Sequence, residues 1–331
     1  MATSPSTDNY TLGKGVVYFN QLVSAGVYAG ERDLGNAPAF AFNISLEKLE
    51  HYSSRGGLRA KDKEIISQIS PGVSFTLDEI NKDNVALLSL GDTVDITQAA
   101  GVASAEVVTG NLGMRTDLAY RSIGTHKISH GTVTSGPFTV ADEVTSDNVD
   151  VGTGIIAAVD TGFIMVAIQS GTFADTDTIT DTSGASADMS ADPVWTAGVI
   201  MIQDSADSVT YVAGTDYVIS TTLRDDSIGR FQVLSTGSIT EGEVLHVTYG
   251  YAASSYSEIR AFKQTQLEGK LRFVSDNPAG TQQELQIWRV SLAPTGDTAL
   301  IGDDWSTLAF TGEVLKDESN TDSPYMTIIM E

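Results

Sequence analysis

The sequence contains no cysteine and has few basic residues for its length. Disulfide bonds and thiolate metal sites are therefore excluded as sources of stability. In 331 residues, 19 Lys and Arg stand against 43 Asp and Glu, which gives a formal net charge of −24 at pH 7. Proteins that hold nucleic acid neutralise its phosphates with Lys and Arg, so tight nucleic-acid binding is disfavoured. Negative charge can also serve only to keep a β-rich chain soluble.

Long apolar runs are missing as well. The segment from Met1 to Thr11 is polar and lacks the basic and apolar regions of a signal peptide. No apolar run approaches the roughly 18 residues that a membrane-spanning helix needs. We therefore expect a soluble protein that does not enter a membrane and is made in the cytoplasm.

Motifs for catalysis or cofactor binding are weak. Residues Gly152 to Ala157 match the G-x-G-x-x-A spacing of dinucleotide sites, but no amphipathic helix follows to hold a pyrophosphate. A turn between two strands is the preferred interpretation. No G-x-S-x-G nucleophile motif occurs, and the absence of cysteine excludes Cys–His nucleophiles. The sequence therefore predicts no enzyme and no cofactor.

Two spacings could suggest a metal site. His126 and His130 stand four residues apart, but neighbouring glycines argue against a helix, so exposed polar residues are the preferred interpretation. Asp175, Asp177 and Asp181 alternate as calcium ligands can, but the glycine and the glutamate of an EF-hand loop are absent. A weak cation site remains the alternative to a solvated acidic loop. We predict no metal site.

Alternation of apolar and polar residues, bounded by Gly, Asn, Asp and Ser, predicts an all-β fold with one short helix. Phe40, Phe42, Ile44 and Leu46 alternate with Ala41, Asn43, Ser45 and Glu47, which predicts a strand whose large apolar side chains face the core. The helix is expected after Asn81 or Asp83, either of which could cap it, with Gly91 stopping it. Further strands are predicted for Glu268–Val274, Leu285–Leu292, Thr307–Leu315 and Tyr325–Met330.

The composition changes in the middle of the chain. Between Lys127 and Arg224 there is no basic residue, whereas thirteen acidic residues occur. We predict an inserted domain over residues 121–252, from Arg121 to Ala252, which splits a second domain into residues 1–120 and 253–331. Within the insert, Ser170 to Pro193 reads as a loop or weak hairpin. A small antiparallel sandwich is predicted from Val209–Val212, Tyr217–Ser220, Arg230–Leu234 and Val244–Tyr251.

Several segments carry a resemblance to a known family. In chain order they are Gly30–Pro38, Leu49–Arg59, Phe75–Ile80, Leu267–Pro278 and Gly302–Leu315. These segments resemble the major tail tube proteins of long-tailed bacteriophages, and with their surroundings they cover about half of the chain. The insert resembles an immunoglobulin-like decoration domain, and the segments that carry this likeness are Gly214–Val218, Gly229–Phe231, Gly237–Ile239 and Val247–Tyr251.

The resemblance implies a structural virion protein rather than an enzyme. Its fold would be two packed antiparallel sheets forming a barrel-like sandwich, with the insert as a second small β-sandwich. Six copies would close a ring, and rings would stack around a tape measure protein into a tail tube. Tail terminator and tail tip proteins would be further partners, and genomic DNA would pass through without specific binding. An exposed decoration domain favours a non-contractile, siphovirus-like tail, assembled in the host cytoplasm.

The resemblance also suggests two sets of functional residues. Glu47, Asp78 and Glu313 are candidates for acidic groups that face the lumen and repel DNA. The segment Glu50 to Ser67 is too polar for a core and long for a turn, so it is predicted to be a loop that contacts the next ring. Its candidates are Glu50, His51, Tyr52, Arg55, Arg59, Lys61, Asp62 and Lys63. A surface loop without a partner is the alternative.

A different class of function is also compatible with the pattern. The chain could be a phage capsid decoration protein or a host-surface adhesion protein with immunoglobulin-like modules. An uncharacterised hydrolase is a third possibility, for which no motif speaks.

Overall fold

A computed structural model describes Thr7 and residues 10–330. Within them the chain forms 24 strands and two short helices. The first elements are β1 Gly15–Ser24, β2 Val27–Asp33, β3 Ala39–Ser53, β4 Ala60–Leu77, α1 Lys82–Leu88 and β5 Asp92–Gln98. They are followed by β6 Gly101–Gly110, β7 Arg115–Asp117, β8 Ile123–Ser129, β9 Glu143–Ser146, β10 Thr153–Asp160, β11 Phe163–Ser170, β12 Thr178–Asp181, β13 Ser186–Asp188, β14 Val194–Ala197, β15 Met201–Asp204, β16 Thr210–Tyr211 and β17 Tyr217–Val218. The last are α2 Asp225–Ile228, β18 Arg230–Val233, β19 Glu243–Tyr251, β20 Ser254–Arg260, β21 Leu267–Ser275, β22 Gln283–Pro294, β23 Leu308–Val314 and β24 Met326–Met330.

The chain divides into two compact units. The first unit comprises Met1–Asp95 and Ser257–Glu331, and the second comprises Ile96–Tyr256. The sequence had placed the boundaries at Arg121 and Ala252. The second unit begins earlier than predicted because β6, which precedes Arg121, pairs along β19. The side-chain amide of Gln98 also donates hydrogen bonds to the carbonyl oxygens of Arg121, at 2.8 Å, and Ala252, at 3.0 Å.

The first unit is built on an eight-stranded sheet of antiparallel pairs. Its order is β2-β1-β21-β22-β23-β4-β3, with β24 also paired to β22. One face of the sheet carries the apolar side chains, because residues directly opposite each other on paired strands share a face. The buried core includes Val17, Phe19, Leu34, Val73, Phe75, Leu77, Leu271, Ile287, Val290 and Phe310. The four predicted C-terminal strands are confirmed, with ends that differ by at most two residues.

Helix α1 is confirmed where the sequence predicted it. The side chain of Asn81 caps its N-terminus by accepting a hydrogen bond from the Asn84 backbone N–H at 2.9 Å. The prediction of a single helix is wrong, because four residues near the end of the second unit form α2. Asp225 in α2 is buried and accepts from the Arg115 guanidinium at 3.2 Å, which anchors this short turn.

The second unit contains an eleven-stranded sheet and a three-stranded sheet of order β17-β18-β7. One core includes residues of both sheets, among them Phe231, Val233, Leu245, Val247 and Tyr249. A separate core lies within residues 128–189 and includes Ile156, Ile164, Val166 and Ile179. The predicted hairpin between Ser170 and Pro193 is β12 and β13.

Several polar residues of the second unit are less exposed than the sequence suggested. His130 is buried, and its Nδ1 lies 2.8 Å from the carbonyl oxygen of Gly131. Asp177 and Asp181 are buried too, and each accepts a backbone N–H within its own turn, from Ala174 and Ala185 respectively. Asp175 is exposed, so the predicted solvated acidic loop is wrong for two of its three residues. Residues 153–157 lie within β10, so the prediction of a turn between two strands from Gly152 to Ala157 is wrong. The next element is strand β11, not the helix that a dinucleotide site would need.

Within residues 10–330, no helix combines the length and apolar character needed to cross a membrane.

Candidate assembly surface

The sheet of the first unit has open edges. In the described part of the chain, β3 pairs with β4 alone and β2 pairs with β1 alone, so the two ends of the sheet are unpaired. Each edge presents backbone N–H and C=O groups that a further strand could pair with. The sheet curls, because Phe40 on β3 stacks on Phe273 on β21 with ring centroids 5.1 Å apart, but its two end strands do not pair with each other.

One edge continues into a long two-stranded ribbon. Strand β23 pairs with β4 only over Gly72–Leu77, so residues 60–71 of β4 have β3 as their sole partner among the described residues. We name residues 43–70 the arm. Its β3 part, residues 43–53, spans about 36 Å at the usual rise per residue. The predicted loop from Glu50 to Ser67 is mostly ladder, with only residues 54–59 connecting the two strands.

The arm carries apolar side chains that remain about half exposed within the described part of the chain. Leu46 lies opposite Ile69, and Leu49 lies opposite Ile65. Together with Ile44 and Ile66, these side chains are 43–63% exposed. The prediction that Ile44 and Leu46, with Phe42, face the core is wrong. The sheet body ends near Pro71, so of the four predicted residues only Phe40 packs against the core.

The outer end of the arm holds a network of ion pairs. Lys48 Nζ lies 2.7 Å from Glu64 Oε1, and Lys61 bonds to both Glu50 and Glu64. Hydrogen bonds from Lys48 and Lys61 lower the pKa of Glu64 to about 2. His51 Nδ1 lies 2.5 Å from Asp62 Oδ1. Lys61 and Glu64 both lie on β4, whereas the Lys48–Glu64, Lys61–Glu50 and His51–Asp62 pairs cross between β3 and β4 and so hold the exposed ribbon in register.

The eight residues proposed for contact with the next ring all lie on the arm. Glu50, His51 and Tyr52 are on β3, and Lys61, Asp62 and Lys63 are on β4. Arg55 and Arg59 lie in the connection. Seven of the eight are exposed polar or charged residues, and Tyr52 adds a half-covered ring.

The charge of the arm differs from that of the rest of the chain. The arm has five basic and four acidic residues, whereas the remaining sequence has 14 basic and 39 acidic residues. Opposite net charges of this kind favour contact between a basic and an acidic surface.

The face of the sheet opposite the core is polar. Glu313 lies opposite Gly72, and Gly72 lies opposite Asn43, so these residues share this face. Glu47 stands four residues beyond Asn43 on β3 and therefore points the same way. The structure thus brings two of the three predicted lumen acids, Glu47 and Glu313, to one face, and both are exposed.

The third lumen candidate has a local partner. Asp78 follows β4, and its carboxylate accepts two hydrogen bonds from the Asn36 side-chain amide, at 2.8 and 2.7 Å. These bonds join the segment after β2 to the end of β4, so Asp78 stabilises this connection. The sequence did not reveal this role.

The polar face also carries basic residues that the sequence analysis did not consider. Arg272 Nε donates to Glu31 Oε1 at 2.8 Å, and Arg289 Nη2 lies 2.8 Å from Glu268 Oε2. Each arginine is thus neutralised by a carboxylate. On the sheet body this face carries the charged residues Glu31, Asp33, Glu268, Lys270, Arg272, Glu284, Arg289 and Glu313, and Glu47 lies beyond them at the start of the arm. Six of these nine are acidic and three are basic, so they give the face an acidic excess.

A second exposed apolar group lies in the loop between β22 and β23. Leu300 and Ile301 are almost fully exposed, and Trp305 is 94% exposed. Sequence reasoning noted Trp305 only as part of the family resemblance. An apolar pair and a tryptophan beside Asp303 and Asp304 could have indicated an exposed contact site.

No cluster of three or more His, Asp or Glu side chains in the described residues could hold a metal ion.

A family comparison covers nearly the whole chain. The sequence profile of a family described as "Protein of unknown function UCP028589" matches residues 10–159 and 164–329. The chain belongs to the UCP028589 family. The UCP028589 match includes the arm and both segments of the first unit, and its gap falls at the turn between β10 and β11. A comparison with curated proteins gives no significant match.

Proposed function

We propose that this protein is the tail tube subunit of a long-tailed bacteriophage. Copies of the chain close into rings, and the rings stack into a conduit for DNA. The resemblance of the split first unit to tail tube proteins motivates the proposal. The hexameric ring and the tape measure, terminator and tip proteins as partners are also taken from that resemblance.

The arm is the observation that carries the proposal. An isolated two-stranded ribbon is marginally stable in water. Here such a ribbon also exposes Leu and Ile side chains on both of its faces, with Leu46 and Ile69 on one face and Leu49 and Ile65 on the other. Exposed apolar groups of this kind are typical of an interaction surface. A second copy of the chain would cover these side chains, and its acidic surface would attract the weakly basic arm. The arm is therefore assigned to contacts between successive rings.

The open edges supply the contact within a ring. A strand edge is a hazard in a monomer, but copies arranged around an axis can pair edge to edge until no edge remains. Strands β2 and β3 stand at opposite ends of one sheet. A ring made in this way would continue the sheet from copy to copy.

The polar face accounts for passage of DNA without binding. DNA carries one phosphate charge per roughly 1.7 Å of its axis. A wall with excess carboxylates repels it over about a Debye length, near 8–10 Å at physiological salt. Because Arg272 and Arg289 are already paired with Glu31 and Glu268, they offer little unpaired charge to phosphate. We assign this face to the lumen.

Reversing the charge of the two exposed lumen acids tests this assignment. A phage that carries Glu47→Lys and Glu313→Lys is expected to build tubes of unchanged length, because neither side chain supports the core. Its DNA should be released more slowly, since the added lysines attract phosphate. The measurement is the rate of DNA release in vitro after receptor triggering, together with tube length by electron microscopy. Asp150→Lys with Asp160→Lys, two exposed acids of the second unit, is the matched control. A normal release rate in the lumen variant would remove the electrostatic part of the account.

Negative-stain electron microscopy of the purified full chain tests the function itself. Rings or hollow tubes of constant diameter are the expected result. A protein that remains monomeric at every concentration and salt would contradict the proposal and favour a decoration or adhesion protein instead.

A further inference from the structure

The second unit contains a groove that the proposed function does not use. Its volume is about 630 Å³, within the range of small-molecule sites. The walls come from β8, β11, β14 and β19 and from short segments beside them. Its larger side chains are His126, Ile168, Gln169, Phe173, Trp195 and Tyr251.

The aromatic wall is held in place by strand register. Trp195 on β14 lies directly opposite His126 on β8, and their rings meet edge to face with centroids 5.1 Å apart. The indole packs closely over backbone at two glycines. A Cβ atom added at Gly124 would lie 2.9 Å from Trp195 Cζ2, and one added at Gly250 would lie 3.4 Å from Cζ3. Glycine at these two positions leaves room for the indole, so the ring lies against the backbone and the groove stays open.

The groove offers hydrogen-bonding groups that have no partner in the described part of the chain. The side chains of His126, Gln169 and Trp195 make no hydrogen bond with other described residues, although all three line the groove. Burial lowers the pKa of His126, so its imidazole is neutral at pH 7 and presents one donor and one acceptor. Gln169 is exposed and adds an amide, and Trp195 adds an indole N–H.

The groove is uncharged within a strongly acidic unit. None of its lining residues is Asp, Glu, Lys or Arg. The unit that surrounds it has nineteen acidic and five basic residues. An anionic ligand would be repelled by this surrounding charge, and a cationic ligand would find no carboxylate in the groove. The lining therefore favours a neutral ligand.

We propose that this groove binds a neutral saccharide. An aromatic face suits the flat C–H side of a sugar ring, while amide, imidazole and indole nitrogens suit its hydroxyl groups. A groove of this volume accommodates one or two sugar rings. The proposal concerns the second unit alone and stands whether or not the chain forms tubes.

Saturation-transfer NMR on the full chain tests the proposal, because the signal is read on the small ligand and tolerates large assemblies. The neutral probes are methyl α-D-glucopyranoside, methyl N-acetyl-β-D-glucosaminide and maltotriose. N-acetylneuraminic acid serves as the anionic probe, and the tripeptide amide Ala-Leu-Ala-NH₂ serves as a non-saccharide probe. We expect transfer to the ring protons of at least one neutral saccharide, and none to the acid or the tripeptide. Absence of transfer to all three neutral probes, or equal transfer to the tripeptide, would overturn the assignment.

Substitutions test whether the saccharide binds in this groove. Trp195→Ala should weaken saccharide binding at least about tenfold, whereas Trp305→Ala, which removes an exposed indole in the first unit, should leave it unchanged. Gln169→Glu changes an exposed residue with little risk to folding. It should reduce binding of the neutral probe and introduce binding of glucosamine, whose ammonium group the new carboxylate attracts. Undiminished binding of the neutral saccharide by Gln169→Glu, or by Trp195→Ala with an unchanged circular dichroism spectrum, would place the site elsewhere.

Discussion

A variant with Leu46→Thr, Leu49→Thr, Ile65→Thr and Ile69→Thr is expected to fold normally and to form no tubes. Threonine keeps the strand preference of the arm, and the four replaced side chains are at least 43% exposed, so the core is untouched. Burial of a Leu or Ile side chain in a contact is worth about 1.5–3 kcal/mol. Loss of even about 1 kcal/mol at each of the four positions would weaken each contact roughly a thousandfold.

Sedimentation velocity and electron microscopy measure this effect. Val107→Thr and Val149→Thr, which replace exposed apolar residues of the second unit, provide the control and should assemble as the unaltered chain does. An unchanged melting temperature in the arm variant shows that folding is intact. Tubes of normal length and yield from that variant would show that the exposed arm is not a contact between rings.

Removal of the second unit is expected to leave tube assembly intact but to make tubes bundle. Asp95 and Ser257 are joined by a hydrogen bond of 2.6 Å between their side chains, so an Asn-Gly turn can replace Ile96–Tyr256. The deletion removes −14 of the −24 net charge of each copy. Mutual repulsion between tubes would fall accordingly, since net charge is what keeps large assemblies apart.

Light scattering at several salt concentrations distinguishes the possible causes. Tubes of the unaltered chain should remain dispersed near 0.1 M salt and associate near 1 M, where the Debye length shrinks to about 3 Å. Tubes without the second unit should already associate at the lower salt. Dispersed tubes from the deletion variant would contradict the charge argument, and a failure to assemble would show that the second unit supports the ring.

The sequence predicted local features well because local rules decide them. Alternation identified β21 to β24, and the Asn81 cap identified α1. Strand β3 shows where such rules end. Phe40 and Ile44 follow one alternation, but burial depends on how far β23 extends beside β4, which is a long-range property. The alternation of apolar residues on β3 therefore continues beyond the core, and no local feature of the sequence marks where burial ends.

The sequence indicated which types of residue form the candidate site but not which of them lie on the same face. Glu47 and Glu313 share a face because three strands stand in register, and that register cannot be read from either segment alone. The salt-bridged Arg272 and Arg289 were missed for the same reason. The unit boundary was placed too late because Gln98 reaches residues far along the chain, outside any composition change.

Cryo-electron microscopy of the assembled protein is the most direct test of the account. The map should show each sheet continued into the next copy through β2 or β3, the exposed Leu and Ile side chains of the arm covered by a neighbouring ring, and Glu47 and Glu313 facing a central channel. A map in which both edge strands and the arm stay uncovered, or in which the channel is lined by the second unit, would contradict the proposal that this chain forms a tube through its own open edges.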